Sequence, residues 1–180
     1  MPEVKKFSPM SLEEVERIVS SIQSANYAFW LDGGWGVDAL LEKQTREHKD
    51  LDICIKLVDS EQVRKLIEQA GYAVAEDESP TRLIMQDNGG RRVDLHLLSF
   101  DKEDNGEQNY KGGFNLYPAN DLHSKGLVGK LKVDCLSPEL QIKFREVYSP
   151  GEKSKHDVRM LADKFQLSVP DGFETRMLSQ

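Results

Sequence analysis

Cysteine is scarce in this 180-residue sequence: Cys54 and Cys135 are the only two, and they form no Cys-x-x-Cys pair. This scarcity argues against a disulfide framework and a cysteine-based zinc site, so we expect a reduced, cytoplasmic protein. The sequence also lacks an apolar run near the roughly 20 residues that span a bilayer. Its first residues, MPEVKKFSPM, lack the apolar stretch of a signal peptide. We therefore expect no membrane partner.

An excess of positive charge is absent too. The 24 Lys and Arg residues are outnumbered by 31 Asp and Glu residues, which gives a formal net charge of -7. Dedicated nucleic-acid binders usually carry a basic patch, so a nucleic-acid partner is not expected. The acidic balance is compatible with a cationic small-molecule substrate and equally with ordinary solubility.

Hydrophobic periodicity predicts a mixed α/β core over residues 1–135 and a C-terminal helical segment over residues 136–180 that packs on this core. A capping box, Ser11 with Glu14, begins a helix predicted over Leu12 to Ser24. Further helices are predicted after Gly34, after Asp59, over Pro138 to Val147 and over Lys153 to Phe165. Strands are predicted in YAFWL, KDLDICIKL, YAVAE, RLIMQD, RRVDLHLLSF and the pair LVGKLKVDCL. We expect the polar stretch Asp101 to Gly113 to be an exposed loop.

Two of these strands carry aspartates on the side opposite their apolar residues. In DLDICI, Asp50 and Asp52 alternate with Leu51 and Ile53. In RRVDLHLL, Asp94 alternates in the same way. If the two strands are neighbours, the three carboxylates converge and need a divalent cation, for which oxygen ligands favour Mg²⁺. The alternative is an ordinary solvated face of a sheet.

The segment LDGGWG places Gly33 and Gly34 between a predicted strand and a short helix. Backbone N–H groups at such a turn can face an anion at the helix N-terminus. A double glycine alone is more often a simple turn. Here it precedes the Asp-x-Asp strand, and this order is expected of a nucleotidyl-transferring site.

The stretch FWLDGGWGVDALLEKQTREHKDLDI resembles the small antibiotic nucleotidyltransferases, the group of aminoglycoside 2''-adenylyltransferases and lincosamide nucleotidyltransferases. The resemblance extends from about Tyr27 to Phe165. It implies an α+β, polymerase-β-like nucleotidyltransferase fold, a mixed sheet flanked by helices with a small C-terminal helical part. It also implies transfer of a nucleoside monophosphate from a nucleoside triphosphate, ATP in the first instance, to a hydroxyl of a small acceptor.

The resemblance further implies roles for individual residues. Asp50 and Asp52 would be metal ligands, and Asp94 would be either the general base or a ligand of a second metal ion. Nucleotide contacts would come from Gly33 and Gly34, and from the motif residues Arg46 and His48. Lys153 opens the last predicted helix, from which it could reach a triphosphate.

Some features leave alternatives open. The acceptor implied by the resemblance is an aminoglycoside or a lincosamide, but related folds modify a protein or RNA partner, and an idle nucleotide-binding relative is a third hypothesis. His96 shares a face with Asp94, and we expect it to pack or to support a site residue rather than to act directly. A chain of this length is also compatible with a homodimer whose second subunit completes the acceptor pocket.

Overall fold

The computed structural model describes residues 8–147 and 150–174, which contain five α-helices, two short 3-10 helices and nine strands. The helices are α1 Leu12–Ser24, α2 Gly33–Leu41, α3 Ser60–Gln69, α4 Pro138–Glu146 and α5 Glu152–Phe165. The strands are β1 Phe29–Asp32, β2 Asp50–Lys56, β3 Ala73–Glu78, β4 Arg82–Gln86, β5 Arg92–Phe100, β6 Gly106–Tyr110, β7 Gly113–Tyr117, β8 Ser124–Val128 and β9 Leu131–Cys135. Residues 1–7 and 175–180, the outer ends of the two predicted units, lie outside the described residues, and the division at residue 135 stays a prediction.

Helix α1 begins where its capping box predicts. The Ser11 hydroxyl accepts a hydrogen bond from the Glu14 backbone N–H at 3.3 Å, and the helix ends at Ser24. Its apolar side chains recur every three or four residues and are fully buried, which is the pattern of a helix that covers one face of a sheet. These side chains are Val15, Ile18, Val19 and Ile22.

The strands form one mixed sheet in the order β3-β4-β5-β2-β1-β9-β8, with β6 and β7 attached to the end of β5. Strand β2 runs parallel to β5 and antiparallel to β1. The prediction that the two aspartate strands are neighbours is therefore confirmed. Because β2 is central, its register with both neighbours decides which of their side chains meet.

Apolar residues cover both faces of the sheet. The main core lies on the face of Leu51, Ile53 and Leu95, and it includes residues of α1, α3 and α5. A smaller cluster on the other face contains Cys54, Leu98, Tyr117, Leu122, Leu136 and Leu140. Among the described residues, no helix has both the length and the apolarity needed to span a membrane.

The prediction of a loop over Asp101 to Gly113 is wrong. This segment contains β6 and the turn into β7, and β6 pairs with the end of β5 through Ser99 and Glu107. The polar side chains of β6 have hydrogen-bond partners elsewhere in the fold instead of packing against apolar residues. Gln108, for example, is only 5% exposed and has hydrogen-bond partners on both sides of its amide. Composition alone does not reveal a strand of this kind.

Candidate active site

Three aspartates form a row across the middle of the sheet. Asp52 of β2 lies opposite Asp32 of β1 on one side and opposite Asp94 of β5 on the other. Directly opposed residues of paired strands project to the same face, so all three carboxylates share the face that lies away from the main core. Asp32 was not among the residues predicted from the sequence.

Asp52, Asp94 and His96 form the tightest group in this row. One ligand atom from each lies within 4.8 Å of the others. Asp94 Oδ2 accepts a hydrogen bond from Arg82 at 3.3 Å, whereas Asp94 Oδ1 is buried and has no hydrogen-bond partner. An unpaired buried carboxylate oxygen is costly, and a bound cation would remove that cost. Asp52 and Asp94, with this unpaired oxygen, therefore fit a divalent cation such as Mg²⁺.

The crowding of these carboxylates alters their affinity for protons. Burial, followed by the charge of Asp52, raises the pKa of Asp32 and of Asp94, and the nearby His96 partly opposes the shift. Burial lowers the pKa of His96, but the adjacent Asp52 and the charges of Asp32 and Asp94 outweigh burial and raise it to about 9. The basic groups closest to the row are Arg82, with Nη1 3.3 Å from Asp94 Oδ2, and His96, with Nε2 3.6 Å from Asp52 Oδ1.

Asp50 lies two residues before Asp52 on the same face of β2 and is more exposed. It is outside the 4.8 Å group. Burial and the charge of Asp52 raise the pKa of Asp50, while His48, Lys153 and Arg46 act in the opposite direction. Lys153, in the first turn of α5, is therefore close enough to Asp50 to affect its pKa, and the proposal that Lys153 reaches a triphosphate requires this proximity.

Gly33 and Gly34 form the first turn of α2, which begins directly after the row. Asp32 caps this helix, since its Oδ1 accepts a hydrogen bond from the Gly33 N–H at 2.6 Å. Gly33 has φ +60°, and a Cβ there would lie 2.0 Å from Asp52 Oδ2. A Cβ on Gly34 would lie 2.2 Å from Nδ1 of His48. The absence of side chains thus lets Asp52 and His48 approach the start of the helix.

Gly33→Ala is expected to lower both stability and activity. The left-handed conformation should cost about 1–3 kcal/mol in unfolding free energy, and the new methyl group should displace Asp52 and lower turnover at least about tenfold. Gly71→Ala is the matched control, because Gly71 has φ +92° with nothing within 4 Å of an added Cβ. Urea denaturation and a turnover assay should show both variants destabilised and only Gly33→Ala impaired. Equal turnover in the two variants would contradict the close approach to Asp52.

Arg46 and His48 lie beneath the first turn of α2 and already have partners. Arg46 donates from Nε and Nη2 to both oxygens of Asp157, at 2.9 and 2.8 Å, and from Nη1 to His48 Nδ1 at 3.0 Å. Since arginine only donates, His48 Nδ1 must accept, and its Nε2 donates to Asp38 Oδ2 at 2.5 Å. His48 is 2% exposed. These contacts favour a supporting role for both residues over direct contact with a nucleotide.

Two buried carboxylates in this arrangement were missed by the sequence analysis. Asp38 accepts hydrogen bonds from the N–H and hydroxyl of Thr45, at 3.0 and 2.7 Å, as well as from His48. Asp157 of α5 joins Arg46 to Arg145 of α4, whose Nη2 donates to it at 3.1 Å. The segment Thr45-Arg46-Glu47-His48 is thereby fixed to three helices. The sequence offered one signal for Asp157: in HDVRMLADKF this acidic residue lies on the apolar side of a predicted helix, where a cationic partner is expected.

Asp157→Asn is expected to destabilise the protein by about 3 kcal/mol, the lower end of the cost of breaking a buried ion pair. Asp157 is 2% exposed, and its loss of charge would leave Arg46 and Arg145 without their shared counter-ion. Asp163→Asn on the exposed side of the same helix controls for the change of charge. Urea denaturation measures both, and equal midpoints would contradict a structural role for the pair.

A small cavity with a largely apolar lining adjoins Asp32 on the side of the β6–β7 hairpin. It has a volume of about 170 Å³ and is lined by Asp32, His96, Gln108, Asn115, Tyr117, Phe144 and Val147. His96 lines this cavity together with Asp32, and its Nε2 lies 3.6 Å from Asp52 Oδ1 and its Nδ1 2.9 Å from Gln108 Nε2. The expectation that His96 would support a site residue agrees with this position.

A mixed sheet that carries a row of aspartates beside a glycine-initiated helix defines a nucleotidyltransferase of the polymerase-β-like fold, as solved structures of this fold confirm. A family model described as aminoglycoside-2''-adenylyltransferase matches residues 14–161. The chain belongs to this family and is a nucleotidyltransferase. The family and the fold class inferred from the sequence are thereby confirmed.

The chain is similar to individual members as well. It is 30% identical over 149 residues to a lincosamide resistance protein of Staphylococcus haemolyticus, covering 83% of this chain and 92% of that protein. It is 29% identical over 63 residues to a 2''-aminoglycoside nucleotidyltransferase of Escherichia coli, or 35% of this chain and 36% of that protein. The crystal structure of the lincosamide antibiotic adenylyltransferase LnuA with lincomycin bound matches with a TM-score of 0.76 at 29% identity, covering 86% of this chain and 98% of that chain. The crystal structure of ANT(2'')-Ia in complex with adenylyl-2''-tobramycin matches with a TM-score of 0.68 at 17% identity, covering 86% of this chain and 88% of that chain. At this low identity the match supports the fold alone.

Proposed function

We propose that this enzyme transfers a nucleoside monophosphate from ATP, or another nucleoside triphosphate, to a hydroxyl of a small antibiotic in a Mg²⁺-dependent reaction. The observation that carries this proposal is the row of Asp32, Asp52 and Asp94 with its unpaired buried oxygen on Asp94. The row lies next to a helix N-terminus, where backbone N–H groups favour phosphate.

Asp52 and Asp94 are the residues that would hold the cation, and Asp50 lies on the same face of β2 to contribute a further oxygen. A cation bound there would neutralise charge on the phosphoryl oxygens as they approach the carboxylates. The Gly33 N–H is occupied by Asp32, but the N–H groups after it lack intrahelical acceptors, so they can face the triphosphate. Lys153 adds positive charge on the same side.

Asp94 is the candidate general base. Its pKa is raised by burial and by Asp52, which makes it a better proton acceptor than an ordinary exposed aspartate. The acceptor hydroxyl would give its proton to the carboxylate as its oxygen attacks the α-phosphorus, and pyrophosphate would leave. Arg46 and His48 support this arrangement from below, because they hold the turn that carries Gly34 against α4 and α5 through Asp157.

The acceptor hydroxyl must reach Asp94 from the open side of the row. The cavity beside Asp32 and His96 is the candidate acceptor pocket, because its amide, phenol and apolar groups suit a sugar ring with an apolar substituent. Similarity to the lincosamide resistance protein over 92% of its length supports a lincosamide as the first acceptor to test, and the family description supports aminoglycosides.

The test is incubation of the purified protein with Mg²⁺, each of ATP and GTP, and a panel of lincosamides and aminoglycosides, followed by mass spectrometry. The expected product is one antibiotic that gains the mass of one nucleoside monophosphate. No gain with any member would contradict the antibiotic acceptor, and label transferred instead to a protein in cell extract would favour a protein partner. Sedimentation of the same sample tests the predicted homodimer.

A further inference from the structure

The side-chain amide of Gln108 is fixed by four contacts. Its Nε2 donates to the Thr81 carbonyl at 3.1 Å and faces His96 Nδ1 at 2.9 Å. Its Oε1 accepts from Asn115 Nδ2 and from the Tyr117 hydroxyl, both at 3.2 Å. A backbone carbonyl can only accept, so Thr81 determines which end of the amide is the nitrogen.

The orientation of this amide determines how His96 is protonated. Because Nε2 of Gln108 brings its second N–H to His96 Nδ1, that ring nitrogen is the acceptor. A neutral imidazole has one acceptor and one donor nitrogen, so the proton lies on Nε2, the nitrogen that faces Asp52 Oδ1 at 3.6 Å. The Nδ1–H of a doubly protonated ring would face the Gln108 N–H without an acceptor, so this geometry selects the neutral ring with its proton on Nε2.

A nitrogen that carries a proton has no lone pair for a metal ion. We propose that Gln108 is a positioning residue that keeps the His96 Nε2 proton directed at Asp52 and so excludes His96 from the ligand shell of the cation between Asp52 and Asp94. By distance alone, His96 belongs to the candidate metal group. The hydrogen-bond pattern makes it instead a partner of Asp52 and leaves an all-carboxylate protein ligand set, which suits Mg²⁺ better than a metal that prefers nitrogen.

The first arm of the test needs no variant and no metal. Nitrogen NMR of the isotope-labelled, metal-free protein at neutral pH, with His96→Asn used to assign the ring, should show Nε2 protonated. A ring with the proton on Nδ1 and a bare Nε2 would overturn the inference. This measurement does not depend on the proposed function, on which the second arm rests.

The second arm uses Mn²⁺ alone as a paramagnetic probe. Electron spin-echo spectra of the wild-type protein should show no coupling from a coordinated imidazole nitrogen. In Gln108→Glu the ionised side chain can only accept, so Nδ1 becomes the donor and Nε2 becomes available to the metal. Imidazole coupling should then appear. The affinity for Zn²⁺ should also rise about tenfold, because residues that hydrogen-bond to a metal ligand alter metal affinity on this scale.

Asn109→Asp is the matched control. Asn109 lies next to Gln108 on β6, and its amide donates to Ser99 rather than to His96. Asn109→Asp should give the same nitrogen NMR and electron spin-echo spectra as the wild-type protein.

Imidazole coupling in the wild-type protein would overturn the inference, and so would its absence in a folded Gln108→Glu variant that binds Mn²⁺. If Gln108→Glu fails to fold, the wild-type spectra decide. Failure of the wild-type protein to bind Mn²⁺ would count against the proposed function, and the metal-free NMR would then decide this inference alone.

Discussion

Asp52→Asn is expected to leave the protein folded and to lower the rate of nucleotidyl transfer by at least about a hundredfold. The two side chains have nearly the same shape, but the amide offers one neutral oxygen where the carboxylate offered two charged ones. Asp52 is central to the row, opposite both Asp32 and Asp94, so its oxygens would bind the proposed cation from the middle strand. The reaction should lose charge stabilisation at the step where charge builds on the phosphate.

The stability of Asp52→Asn should change by less than about 1 kcal/mol. Loss of repulsion from Asp32, Asp50 and Asp94 offsets the loss of the contact with His96. Urea denaturation and an initial-rate assay measure the two effects, with Asp163→Asn as the exposed control for charge. A variant that turns over like the wild-type protein would show that this carboxylate is only part of a solvated face.

Asp94→Asn is expected to separate binding from turnover. If Asp94 is the general base, the variant should bind Mg²⁺ and nucleotide within a few-fold of the wild-type affinity and should lose about 10²- to 10⁴-fold in turnover. Asp52→Asn, by contrast, should lose affinity for the Mg²⁺–nucleotide complex. The raised pKa of Asp94 favours the role of base, whereas its unpaired Oδ1 could accept either a proton or a cation, so the two roles need this test.

Calorimetric titration of Mg²⁺–nucleotide into both variants distinguishes the roles. The structure also supplies an internal check, since Asp94 Oδ2 accepts from Arg82, and an asparagine oxygen can keep that bond. Equal loss of nucleotide affinity in Asp52→Asn and Asp94→Asn would assign Asp94 to the metal ions rather than to the proton.

Local patterns predicted a substantial part of this architecture. The capping box of Ser11 and Glu14 predicted the start of α1 and the apolar periodicity predicted its end, because both signals act over a few residues. Alternation along β2 and β5 placed Asp52 and Asp94 on one face, because the side-chain period of a strand is two. The sequence could suggest that these strands are neighbours, but only their register shows that Asp52 and Asp94 are directly opposite.

Contacts between distant segments could not be predicted in the same way. Asp32 ends an aromatic strand and precedes two glycines, so from the sequence it resembles a turn residue, yet its pairing with β2 makes it part of the row. From the sequence alone, Arg46 is an unpaired cation near a predicted phosphate site. In the structure it pairs with Asp157, which lies 111 residues away in the sequence. Gln108 lies in a segment so polar that it was predicted to be a loop. In each case a long-range partner determines the role.

The central claim is that the enzyme uses this row of carboxylates to transfer a nucleoside monophosphate. The most direct test is to measure which product receives the label from ATP labelled in one phosphate group. The protein is incubated with Mg²⁺, an acceptor antibiotic and ATP labelled at either the α- or the γ-phosphorus. The account predicts α-label on the antibiotic and γ-label in pyrophosphate, with both products lost in Asp52→Asn. The appearance of γ-label on the antibiotic, which would mean phosphoryl rather than nucleotidyl transfer, would contradict it.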